Sequence, residues 1–188
     1  MTFDPQKDKA PDIFKAILWE LQKKNRVIGS VVVDGQEVFN HQEEYVGQRL
    51  KDIKEIVVKS GTREELAREN MDLIAHHLEG ISAHLPVIGR DFRGGITQEG
   101  WADFEGVVNS LIFIEKAIID IFEMVKKADK KVMTEKWGEV VKEYQKLNPL
   151  LKDLEELLDY NRFEESGNLV DQKMKEILDH VIRMIDRV

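Results

Sequence analysis

The chain has 188 residues, 42% of them apolar and 34% charged, with a formal net charge of −8 at neutral pH. It has no cysteine, which excludes disulfides, thiolate nucleophiles and thiolate metal sites. Residues 1–60 hold ten basic and ten acidic side chains, so residues 61–188 carry the whole excess, and a surface of that sign repels the phosphate backbones of nucleic acid.

Asp4, Lys7, Asp8 and Lys9 interrupt the start before any apolar run, so no signal peptide is expected. The first helix is predicted around Pro11 and Asp12, which suit a first turn, with Ile13, Ile17, Leu18 and Leu21 inward and Lys23 and Lys24 at its end. The β-branched run from Val27 to Val33 is too short for a helix, and Asp34-Gly35 before Gln36-Glu37-Val38-Phe39 is a two-residue hairpin signal. Asn40 and Glu43 form a capping box for a short helix with Tyr45, Val46 and Leu50 inward. Ile56, Val57 and Val58, within residues 54–60, predict a third strand. Residues 1–60 thus read as a small α+β module with a three-stranded sheet.

From Thr62 onward, residues 61–188 repeat alternating steps of three and four in four segments, the pattern of an antiparallel four-helix bundle. The first stripe is Ala67, Met71, Ile74, Leu78, Ile81, Leu85, opened by a Thr62/Glu65 capping box and ended by Pro86 and a loop over residues 89–95. The second is Trp101, Phe104, Val108, Leu111, Glu115, Ile118, Phe122, Val125, with Thr97 as its cap. The third, capped by Thr134, is Met133, Trp137, Val140, Tyr144, Leu147, Leu151, Leu154, Leu158. Asn148-Pro149 lies inside it and predicts a kink or a restart, the kept register of the stripe favouring a kink. The fourth, capped by Asn161 with Glu164, is Phe163, Gly167, Val170, Met174, Ile177, Val181, Met184, Val188.

Residues 111–125 are the most apolar stretch, but Glu115, Lys116, Asp120 and Glu123 break it, so it predicts a buried helix and not a membrane span. Ile112, Phe113, Ile114, Ala117, Ile119, Ile121 and Met124 add apolar surface beyond the stripe, which the small α+β module is expected to cover first, with a homodimer through any remaining patch as the second expectation.

The candidate sites are few. His77 and His84 share one helical stripe and Glu115 falls on an apolar seam, so these three are the candidate ligands of a metal- or ligand-binding bundle enzyme. Against that reading, no histidine has a glutamate three residues before it, the pair that carboxylate-type metal bundles place on two helices. Arg90, Phe92 and Arg93, in the loop before a helix N-terminus, are the candidate partner contacts. Ser30, Ser60, Ser82, Ser110 and Ser166 lie outside nucleophile-elbow motifs, and no catalytic or cofactor-binding residue is assigned.

The hairpin Val33-Asp34-Gly35-Gln36-Glu37-Val38, followed by the third strand and helical hairpins, resembles bacterial proteins of unassigned function. That resemblance implies a fold and brings no active residues. The reading that follows is a cytoplasmic, non-enzymatic interaction protein: an adaptor, a chaperone-like binder or a self-assembling subunit. Its partner is a protein or a second copy, without cofactor, nucleic acid or membrane.

Overall fold

Asp34 and Gly35 take φ of 48° and 85°, the left-handed pair that lets a two-residue turn follow strand twist. They join β1 (Val27–Val33) to β2 (Gln36–Val38), and β3 (Ile56–Gly61) pairs antiparallel on the other side of β1, giving the order β2-β1-β3. The Asp34 carboxylate accepts from the backbone N–H groups of Lys54 at 3.0 Å and Glu55 at 2.8 Å, pinning the turn to the segment that enters β3. The computed structural model describes residues 8–38 and 41–188. Two compact units divide the chain, Met1–Leu66 and Ala67–Val188.

In the first unit, α1 (Ala10–Lys23) has Pro11 in its first turn and ends on Asn25, φ 53°. Asn25 N–H bonds the Gln22 carbonyl and Arg26 N–H reaches the Leu21 carbonyl, a Schellman cap. Ile13 and Phe14 are buried, whereas Leu18, expected inward, is 52% exposed. Phe14 belongs to the buried cluster with Val31, Val33 and Val38. Val46 of α2 (Gln42–Arg49), then Leu50 and Ile53, close the same core over Val31, Val33 and Val38. The expected cap residue Asn40 lies outside the described residues.

α3 (Arg63–Arg93) opens on the expected reciprocal box: Glu65 N–H donates to the Thr62 hydroxyl and Thr62 N–H to the Glu65 carboxylate. It does not stop at Pro86. A proline inside a helix costs about 3 kcal/mol. Beyond it Ile88 and Phe92 become buried, at ~1.5–3 kcal/mol each, which together match or outweigh that cost. The expected loop over residues 89–95 is therefore helical as far as Arg93, and Gly95, φ 85°, turns the chain instead. α4 (Gln98–Lys127) is capped by Thr97, whose hydroxyl accepts from Gly100 N–H at 3.1 Å.

α5 (Lys131–Tyr144) begins a turn before the expected cap: Thr134 lies inside it and donates its hydroxyl to the Lys130 carbonyl. At Pro149 the chain restarts as α6 (Leu147–Asp159) instead of kinking. Proline cannot donate to the Gln145 carbonyl, so Asn148 N–H takes it at 3.2 Å, three residues back. Gln145 and Lys146 keep right-handed helical dihedrals, so the stripe crosses the break in register. Asn161, φ 56°, terminates α6 rather than capping the next helix, with Arg162 N–H on the Leu157 carbonyl.

The last helical stretch comprises α7 (Phe163–Asn168), a π segment (Leu169–Met174) and α8 (Lys175–Ile185). The wider π turn uses an extra residue. Leu178 and Ile185 are buried where Ile177 and Met184 were expected.

Side-chain ties define a closed antiparallel ring of four. Phe92 of α3 meets Phe104 of α4 edge-to-face at 5.2 Å. The Trp137 indole N–H donates to the Ile118 carbonyl at 2.9 Å, and the Tyr144 hydroxyl to the Leu111 carbonyl at 2.7 Å, each seven residues from the other along α5 and α4. Glu143 of α5 pairs with His180 of α8 at 3.1 Å. Ser82 of α3 donates to Asp179 of α8. Residue numbers run in opposite directions in each pair, since His77 also lies by Phe113, Lys136 by Arg187 and Arg93 by Asp171, and the core includes Leu78, Leu85, Ile118, Trp137 and Leu178.

Candidate interaction surface

The three expected partner contacts separate. Phe92 is fully buried, its ring edge-to-face with Trp101 at 5.6 Å as well as with Phe104, because it lies one heptad after Leu85 on the seam of the extended α3. The Arg93 guanidinium bonds Asp171 at 2.8 Å and Asn168 at 3.1 Å, so it ties α3 to the π segment. Arg90 is the one of the three left exposed without such a role.

Glu115 is not on the seam. Ile114 is buried in its place, with Val107 for Val108 and Ile121 for Phe122, so the carboxylate is half-buried and accepts from the Asn148 side chain at 3.2 Å. Burying Ile114 avoids the cost of an unpaired buried charge. His77 is exposed and His84 faces Asp103 at 3.9 Å. Among the described residues no three or more His, Asp or Glu side chains are grouped to hold a metal ion, so His77, His84 and Glu115 are not brought together.

The bundle's less exposed polar groups answer one another. Lys175 donates to Asp179 at 2.6 Å and to the buried Ser82 hydroxyl at 3.3 Å, while Ser82 donates to Asp179. Burial pushes the Asp179 carboxyl up, but the hydrogen bonds from Lys175 and Ser82 and the nearby cations outweigh it and hold it below the usual carboxylate range. Glu143 behaves likewise: burial raises it, and Lys146 and His180 more than reverse that. Lys175 is ion-paired and Ser82 gives its proton to a carboxylate, which is the wrong arrangement for a serine nucleophile with a neutral lysine base. This cluster was missed in the sequence. Its only trace is the small-residue recurrence Ala75, Ser82, Gly89, which marks where α3 lets another helix come close.

Among the side chains facing outward on α4 are large apolar ones. Ile112 is 58% exposed, Phe113 71% and Ile119 44%. Beside Phe113 a groove of about 360 Å³ runs between α3 and α4, lined by His77, Ile81, Asn109, Ser110 and Ile114. A larger open cleft of about 730 Å³ in the first unit is walled by Pro11, Phe14, Leu18 and Ile28. Its polar wall is the start of α2, His41, Gln42, Glu43, Glu44 and Gln48, where His41 faces Glu44 at 3.9 Å.

No protein family, curated protein or solved structure matches the chain. Among the described residues no helix is long and apolar enough to cross a membrane.

Proposed function

We propose that this is a non-enzymatic interaction protein that presents the outer face of α4 and the adjoining α3–α4 groove to another protein. One observation carries the reading. Large apolar side chains, Ile112 and Phe113, stand in solvent beside a groove, while the bundle's part-buried acids and bases are used in internal ties. Exposed apolar side chains that cluster beside a groove mark binding surfaces more often than singly scattered ones. A helix face of this kind receives another helix or an apolar segment. The absence of cysteine and the acidic surface fit action in the cytoplasm.

Affinity capture from the native cell with the wild type and with Ile112→Glu/Phe113→Glu tests the reading. A protein held by the wild type and lost by the equally folded variant is the expected result. Equal capture by both would remove the α4 face from the proposal. One zinc, iron or manganese ion per purified chain would replace the proposal with a metal-binding bundle.

A further inference from the structure

We propose that the occupant of the α4 face is a second copy of this chain, packed α4 against α4 in an antiparallel, twofold arrangement. This rests on the interaction reading above and names its partner. Charge is the first argument. The chain carries −8 overall, yet on the outward side of α4 Glu105, Asp120 and Glu123 are balanced by Lys116, Lys126 and Lys127. Two copies meeting there bring together a neutral surface of an otherwise self-repelling molecule.

Order along the helix is the second argument. A twofold interface must be complementary to itself, since each patch meets its own copy. Glu105, Asn109, Ile112, Lys116, Ile119, Glu123 and Lys126 recur at alternating steps of four and three, a second stripe on the side of α4 away from the core. With the axis between Glu115 and Lys116, antiparallel pairing sets Ile112 opposite Ile119 of the second copy. The same register sets Glu105 opposite Lys126 of the second copy, and each pair occurs twice. Parallel pairing would set Glu105 against Glu105 and Lys126 against Lys126, so the charge order selects the antiparallel form. Lys126 already bonds Glu123 on its own helix at 2.8 Å, which holds its head group on this face.

Sedimentation of the full chain over a concentration series tests this. The wild type should approach twice 21.8 kDa, and Ile112→Glu should remain at 21.8 kDa. Glu105→Lys and Lys126→Glu should each weaken the dimer about tenfold, because symmetry counts every reversed pair twice. The double variant Glu105→Lys/Lys126→Glu should recover most of that loss. All these positions are exposed, and circular dichroism confirms that the bundle is intact before the masses are compared. A wild type that stays at 21.8 kDa, a dimer indifferent to Ile112→Glu, or a double variant no better than the singles overturns the inference. A monomer that still captures another protein through Ile112 and Phe113 overturns the second copy and leaves the interaction reading standing.

Discussion

At Gly89 a methyl group built on the α3 backbone would stand 2.6 Å from the Asp171 Cβ and 2.7 Å from the Gly167 carbonyl oxygen. Ordinary carbon contacts are ~3.5–4.0 Å, so Gly89→Ala must push α3 and the π segment apart by roughly 1 Å. Neither obstacle is the far end of a side chain that could rotate away. Forcing an extra carbon into such a crossing costs ~1–3 kcal/mol or more. Alanine in a helix interior returns about 1 kcal/mol relative to glycine. The net expectation is a loss of roughly 0–2 kcal/mol, increased by any loosening of the Arg93–Asp171 pair. Gly80 sits in the same helix with nothing within 4 Å of its would-be Cβ, so Gly80→Ala should gain ~0.5–1 kcal/mol. Urea unfolding followed by circular dichroism measures both, with unchanged denaturant slopes showing that only stability moved. If Gly89→Ala is as stable as Gly80→Ala, the backbone-to-backbone crossing of α3 and the last helix is wrong.

Phe92→Ala should cost ~3–5 kcal/mol, the range for deleting a buried aromatic, while Arg90→Ala two residues away should stay within ~0.5 kcal/mol; the same urea titration measures both, and a costly Arg90 with a neutral Phe92 would restore the loop over residues 89–95. Asp179 has a depressed carboxyl, so its contribution is present in full above the unfolded value of about 3.9 and is lost as pH falls through the lower folded value. Asp179→Asn should therefore cost ~1–2 kcal/mol at neutral pH and converge with the wild type in acid. A gap that persists well below the carboxylate range would show that the Ser82–Lys175–Asp179 cluster is not electrostatic in origin.

The hairpin and the four stripes were legible because each is a local signal repeated by its neighbours. Asp34-Gly35 fixes a turn through backbone conformation alone, and the Thr62/Glu65 box and Thr97 act within four residues of themselves. Helix ends were harder. Asn25 and Asn161 both stop helices by taking left-handed φ, yet Asn161 followed by Glu164 spells an N-cap just as well. Only the partner of Arg162 N–H, the Leu157 carbonyl five residues back, distinguishes the two. The register after Met174 was out of reach for a different reason. Ile177-Leu178 and Met184-Ile185 put an apolar residue at both alternatives, so the pattern alone cannot reveal the π turn that selects the second of each.

The same degeneracy governs α4, and there it bears on function. Phe104, Leu111, Ile118 and Val125 belong to either stripe, and a helix apolar on most of its circumference leaves the intervening positions open. Glu115 breaks the tie: a stripe through Val107, Ile114 and Ile121 keeps the carboxylate at the edge, where Asn148 reaches it, and fixes which apolar residues are surplus. Once that stripe turns inward, Ile112 and Ile119 must point away from the core, since they lie on the opposite side of the helix. Phe113 follows them to the rim of the α3–α4 groove. The exposed face is thus a consequence of where one glutamate is tolerated. Nothing in the fold of the bundle requires isoleucines on that face, because helix propensity there would be served better by lysine or glutamate. The proposed contact with another molecule accounts for their presence on a helix already anchored by Trp137 and Tyr144 through its backbone carbonyls.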